Sequence, residues 1–124
     1  MKTALIVFAG SGFGGVCRYL VQKLFIDAGY INFPLGTFVV NILGCFLIGL
    51  FSAIAAKNNL LTDEWRLALT TGFCGGFTTF STFANENMSL LRNGEYAYFS
   101  TYIILSIVLG IGAVILGTTC VKFF

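Results

Sequence analysis

Polar and aromatic side chains that could line an ion pathway are concentrated between Gly72 and Phe83, in the stretch GFCGGFTTFSTF. Its glycines, followed by β-branched threonines, weaken an α-helix locally. At the helical repeat, the hydroxyl and amide groups of this stretch and the next two turns share one face: Thr78, Ser81, Thr82, Asn85 and Ser89. The pattern predicts a broken helix that lines a pathway. The alternative is that the glycines only permit close helix packing while the hydroxyls bond to their own helix.

Two other apolar segments carry polar positions that match this face. Asn41 is the only strongly polar group near the middle of one segment, and Tyr102 and Ser106 lie one turn apart in another. Neutral donors of this kind, together with the electropositive ring edges of Phe80 and Phe83, suit a small anion stripped of water. The alternatives are an interhelical hydrogen bond for Asn41, packing for Tyr102 and Ser106, and ordinary lipid or core contact for the two phenylalanines.

Several kinds of chemistry are excluded by what the chain lacks. The sequence has no histidine, so it forms neither a Ser–His–Asp triad nor a Cys–His zinc site. Glu86 is the only candidate for a membrane-embedded carboxylate, and it lies within two turns of Arg92, where its segment ends, so carboxylate-coupled antiport is not favoured. The cysteines contain no CxxC pair and are expected to be reduced, buried small hydrophobes: Cys17, Cys45, Cys74 and Cys120.

Composition places the chain in a membrane. Hydrophobic residues make up 57% of the 124 positions and charged residues 10%, whereas soluble domains carry roughly 25% charged residues. A membrane-spanning helix needs about 20 apolar residues, and four segments reach or approach that length: 3–22, 35–56, 63–92 with a break near 75–79, and 95–122. We therefore predict a single all-α membrane domain, 1–124, with four transmembrane helices, the third broken mid-membrane.

Residues at the segment ends agree with these bounds. Pro34 suits the first turn of the second helix, and Lys57, Asn58 and Asn59 are expected to end it. Thr62, followed by two acidic residues, is typical of a helix N-terminus.

The charges are few and spread singly. Seven Lys and Arg face five Asp and Glu without a basic run, so nucleic acid binding is not expected. With four helices, the cationic residues divide four against three between the two sides: Lys2, Lys57, Arg66 and Lys122 against Lys23, Arg92 and Arg18. Because this bias is weak, we hypothesise that the chain inserts in both orientations.

The sequence resembles the Fluc (CrcB) family of fluoride channels. GFCGGFTTFSTF resembles the family's third-helix signature, while GSGFGGVCRY (Gly10 to Tyr19) and FPLGTFVVNILGCFLIG (Phe33 to Gly49) resemble its first and second helices. The resemblance implies an antiparallel, dual-topology homodimer in a bacterial cell membrane. It also implies two pathways that passively export fluoride.

The resemblance also implies roles for individual residues. A structural sodium ion at the dimer centre would be held by the backbone carbonyls of Gly75 and Thr78, and Arg18 and Glu86 would line the entrances. For Arg18 the alternative is snorkelling toward the nearby membrane surface. Gly110 stands where family members often carry a hydroxyl. The implied fluoride pathway consists of Asn41, Thr79, Phe80, Ser81, Thr82, Phe83, Tyr102 and Ser106.

Two other kinds of membrane protein remain as alternatives. A small multidrug exporter of four helices would need a carboxylate at the centre of the first helix, and this sequence has none there. A non-transporting assembly subunit is disfavoured by the hydroxyl-rich broken segment. An intramembrane enzyme is the least expected of all.

Overall fold

The structure is a computed structural model that describes residues 1–57 and 60–124. Its described residues form helices and no strand, which confirms the predicted all-helical fold. Two long helices, α1 (Lys2–Asp27) and α2 (Leu35–Ala56), come first, and α6 (Tyr96–Cys120) with a short 3₁₀ turn (Val121–Phe123) comes last. Between them, the third segment consists of α3 (Asp63–Leu67), a π-helix (Ala68–Cys74), α4 (Gly75–Phe77) and α5 (Phe80–Arg92).

The ends of the first two helices differ in part from the sequence prediction. Helix α1 continues to Asp27, past the predicted end at Gln22, because nothing in the sequence between them breaks a helix. Pro34 is the N-cap of α2 instead of a member of its first turn. Lys57 is the C-cap with extended backbone, while the predicted terminators Asn58 and Asn59 lie outside the described residues.

The third segment is less regular than a helix with one break. It begins as predicted, since the Thr62 hydroxyl accepts a hydrogen bond of 3.3 Å from the Trp65 N–H. The chain then adopts a π-helix over Ala68–Cys74, which the sequence analysis did not foresee. At Thr78 and Thr79 the backbone is extended, and α5 starts at the next residue. The segment therefore leaves α-helical geometry twice.

Small residues allow the helices to approach closely. The most extensive interface joins α2 and α6, where a Cβ atom on Gly49 would overlap the Val114 carbonyl oxygen. Helix α1 packs on the third segment in the same way, because a Cβ on Gly76 would overlap the Ser11 carbonyl oxygen. Such contacts are typical of membrane bundles. There, close backbone packing stabilises helix association, because the hydrophobic effect that drives it in water is absent.

The outer surface of the bundle is apolar. In the described part of the chain, three helical stretches are long and apolar enough to cross a membrane, namely Lys2–Asp27, Leu35–Ala56 and Tyr96–Phe123. Large apolar side chains such as Phe8 and Ile115 point outward and are exposed. An apolar exterior of this extent fits a lipid environment.

The cysteines are free, but their burial differs from the prediction. Only Cys74 is buried, whereas Cys17, Cys45 and Cys120 are partly exposed. Cys45 faces an open groove and not a closed core. The expectation that all four are buried was therefore wrong for a single chain.

Candidate functional site

The break in the third segment is held by one side chain of α2. The Thr79 N–H donates to Asn41 Oδ1 at 2.8 Å, and Asn41 Nδ2 donates to the Thr79 carbonyl at 3.1 Å. Both backbone groups of Thr79 are thus paired although Thr79 lies outside any helix. Pairing matters here because an unpaired backbone group in an apolar environment costs several kcal/mol. Asn41, which was predicted to line the pathway, therefore makes interhelical hydrogen bonds. Such a bond was the alternative that the sequence left open for this residue.

A second side chain holds the break from α1. Arg18 Nη1 donates to the Thr78 carbonyl at 3.1 Å. The Thr79 hydroxyl caps α5 by accepting from the Thr82 N–H at 3.3 Å, and it lies 3.0 Å from the Thr82 hydroxyl. The structure thus places the predicted vestibule arginine directly on the break.

The carbonyl oxygens of Gly75 and Thr78 have acceptor capacity left. Because the Thr79 N–H turns to Asn41, the Gly75 carbonyl has no donor among residues 1–57 and 60–124. The Thr78 carbonyl accepts from Arg18 and retains a second lone pair. Both residues line the same groove, and carbonyl oxygens are ligands for hard cations. Two oxygens from one chain are too few to enclose an ion.

An open groove of about 690 Å³ runs beside the break. It brings together Asn41, Thr79, Phe80, Phe83 and Ser106, five of the predicted pathway residues. The rings of Phe80 and Phe83 lie 5.8 Å apart between centroids, and Phe80 is 78% exposed. The Ser106 hydroxyl is buried and has no hydrogen-bond partner among the described residues. The groove therefore offers aromatic edges and an unused hydroxyl.

A second pocket of about 260 Å³ contains Thr82 and Glu86. Three residues that are not among the predicted site residues, Gln22, Tyr30 and Thr37, complete its polar lining. Gln22 Nε2 donates to the Thr37 hydroxyl at 3.0 Å, and that hydroxyl donates to Glu86 Oε1 at 2.5 Å. Thr37 lies one helical turn before Asn41, so its place on the same face of α2 could have been predicted from sequence. No sequence signal identified Gln22.

Tyr102 lines neither the groove nor the second pocket, but it lies against residues of both. Its ring packs against Phe83 at 4.9 Å and against Phe33 at 5.2 Å, and the residue is fully buried. Its hydroxyl lies close to Glu86 and Thr37 but makes no hydrogen bond of good geometry with any described residue. Tyr102 thus presents a second unused hydroxyl.

Two residues from the sequence analysis do not join these cavities. Ser81 is exposed and lines neither the groove nor the pocket. Gly110 is buried on the side of α6 that faces α2, where an added Cβ would contact Cys45 Sγ at 3.6 Å. Ser81 therefore needs a partner surface to become part of a pathway.

The helices, their apolar exterior and the polar break define a multi-pass helical membrane protein. The model of a family described as CrcB-like protein, Camphor Resistance (CrcB) matches residues 5–118. The chain belongs to this family, as its resemblance to the Fluc (CrcB) channels predicted.

Similar proteins named fluoride-specific ion channel FluC occur in several bacteria. The one from Phocaeicola vulgatus is 54% identical over 117 residues, which cover 94% of this chain and 96% of that protein. The one from Bacteroides fragilis is 48% identical over 120 residues, 94% of each chain. The one from Chlorobaculum tepidum is 48% identical over 124 residues, 100% of this chain and 98% of that protein. The family is thus one of ion channels and not of enzymes, as predicted.

Proposed function

We propose that the chain forms a fluoride channel through which fluoride leaves the cell passively. The main support for the proposal is the break at Thr78 and Thr79, which Asn41 and Arg18 stabilise by hydrogen bonds. The break lies beside a groove lined by phenylalanine rings. The similar proteins named fluoride-specific ion channel FluC support the choice of ion. Passive export lowers cytoplasmic fluoride and confers resistance to it.

The donors along the groove and the pocket suit a small, strongly hydrated anion. Such an anion exchanges its water only for short contacts to N–H, O–H or positive ring edges. The hydroxyls of Ser106 and Tyr102 have no partner among the described residues and so remain free to donate. Phe80 and Phe83 line the groove with Ser106, Thr82 lines the pocket, and Tyr102 is buried against Phe83. We assign the pathway to these groups, with Asn41, Thr79 and Ser81 at the break.

We further propose that two chains pair in antiparallel orientation and enclose two pathways. A groove of about 690 Å³ with a phenylalanine that is 78% exposed needs a cover to become a pathway. Cationic residues divide almost evenly between the two sides, which favours insertion in both orientations. A second copy would also bring Ser81 into contact with a partner surface.

A sodium ion at the dimer centre belongs to the same proposal. Gly75 and Thr78 of each chain would hold it by their carbonyl oxygens, four in all, around the two-fold axis. The ion would supply positive charge that offsets the carbonyl dipoles released at the break. We expect the thermal unfolding temperature of the purified protein to fall when sodium in the buffer is replaced by N-methylglucamine. An unchanged unfolding temperature would contradict a bound sodium ion.

The function is tested by efflux from liposomes. Pure protein is reconstituted with internal fluoride or chloride, and the release of each ion is followed with its own electrode. We expect rapid loss of fluoride and retention of chloride. Equal permeability to both ions, or none to fluoride, would refute the proposal. The exporter alternative needs a carboxylate at the centre of α1, and the only acid of α1 is Asp27, its last residue.

A further inference from the structure

Thr37 uses its hydroxyl to join other helices and not to bond its own helix. A helical Ser or Thr commonly donates to the backbone carbonyl four residues earlier. Among the described residues, Thr70, Ser89, Thr118 and Thr119 do so within helices, and Thr78 does so just after α4. Thr37 instead donates to Glu86 on α5 at 2.5 Å and accepts from Gln22 on α1 at 3.0 Å. These three residues, which we call the Gln22–Thr37–Glu86 chain, join three helices.

The direction of the hydrogen bonds in this chain is fixed by chemistry. An ionised carboxylate only accepts, so the Thr37 proton must point at Glu86. The Thr37 oxygen is then left as an acceptor, and Gln22 must present its NH₂ group. Gly36 brings the partners together, because a Cβ on Gly36 would lie 3.0 Å from the Gln22 Cα. Thr37 is 4% exposed, so water does not replace Gln22 easily.

We infer that Gln22 is a positioning residue that acts through Thr37 and holds the Glu86 carboxylate against α2, beside the anion path. The inference rests on the proposed fluoride channel. Glu86 already lines the pocket with Thr82, and a carboxylate released from Thr37 moves further into it, where it repels an anion at closer range. Without Gln22, the Thr37 oxygen loses the donor that fixes its orientation, so its proton is free to turn away and to release Glu86. Gln22 thereby sets how open this end of the path is.

The test is a double-mutant cycle on fluoride efflux. Gln22→Met keeps the length of the side chain and removes the donor, and Thr37→Val keeps the shape of its side chain and removes the hydroxyl. Each single variant is expected to reduce fluoride efflux by roughly fivefold or more, and the double variant by no more than either one, because members of one hydrogen-bond chain are not additive. Tyr19→Phe is the matched control, since it removes an exposed hydroxyl from the same helix. We expect it to conduct like the wild type.

The outcomes separate this inference from the proposed function. A wild type that does not release fluoride refutes the channel itself. A conducting wild type with an equally active Gln22→Met variant overturns only the role of Gln22. Losses that add in the double variant, or clearly unequal losses in the two single variants, also overturn it, since the chain requires equal losses. Size-exclusion profiles and unfolding temperatures like the wild type's are expected for all variants, and a marked fall in either for Gln22→Met would indicate a merely structural role.

Discussion

Replacing Asn41 by Asp tests the contact on which the break depends. The substitution keeps an acceptor for the Thr79 N–H but removes the donor that bonds the Thr79 carbonyl at 3.1 Å. A carboxylate oxygen then faces a carbonyl oxygen, and both are acceptors. Thr79 is 7% exposed, so water does not readily fill the gap. The break should therefore lose its defined geometry.

The size of the effect follows from the cost of one buried, unpaired carbonyl. That cost is about 1–3 kcal/mol. Since about 1.4 kcal/mol corresponds to a factor of ten, the population of the intact break should fall by about 5-fold to 140-fold. If conduction needs the intact break, fluoride efflux falls by the same factor or is lost, and repulsion of the anion by the new charge adds to the loss.

The assay is fluoride release from liposomes at equal protein content, with the dimer checked by size exclusion. Asn32→Asp is the control, because it adds the same charge at an exposed position in the loop between α1 and α2. Efflux by Asn41→Asp within twofold of the wild type would refute the reasoning. So would an equal loss in Asn32→Asp, since charge and not the Thr79 contact would then be the cause.

Three further predictions concern the pathway, the packing and the topology. Phe80→Ile should abolish fluoride efflux because it removes the ring edge from the groove, and it should still elute as a dimer; normal conduction would exclude Phe80 from the pathway. Gly117→Leu should destabilise the protein by about 1–3 kcal/mol or more through overlap with the Phe46 carbonyl. Gly112→Leu, which meets nothing within 4 Å, should not, and equal unfolding temperatures of the two variants would contradict the packing argument. A C-terminal reporter tag should be detected on both membrane faces, whereas detection on one face alone would contradict dual topology.

The parts of the fold that depend on local properties could be predicted from sequence. Apolar segment length indicated the long helices, and Thr62 with its following acids marked the start of the third segment. The break at Thr78 and Thr79 lies in the range 75–79, because glycines and threonines weaken the helix there whatever surrounds them. The π-helix over Ala68–Cys74 escaped prediction, since its residues differ little from those of an α-helix.

The contacts of the site depend on the relative placement of helices and could be predicted only in part. Asn41 stood out as a lone amide in an apolar span, but the sequence could not show that both its polar atoms bond Thr79. Arg18 was expected at an entrance, and no pattern indicated its bond to the Thr78 carbonyl. The position of Gln22 in the site could not be predicted from sequence, because its contacts depend on the close approach of α1 to Gly36.

The double contact between Asn41 and Thr79 has a consequence for how the chain can vary in length. One residue inserted or deleted in α2 before Asn41 would turn that side chain by about 100° around the helix axis. The amide would then point away from the break, although the composition and apolar length of α2 would hardly change. Homologous chains should accordingly tolerate length changes in the loop 28–34 but keep the spacing from the start of α2 to Asn41 constant.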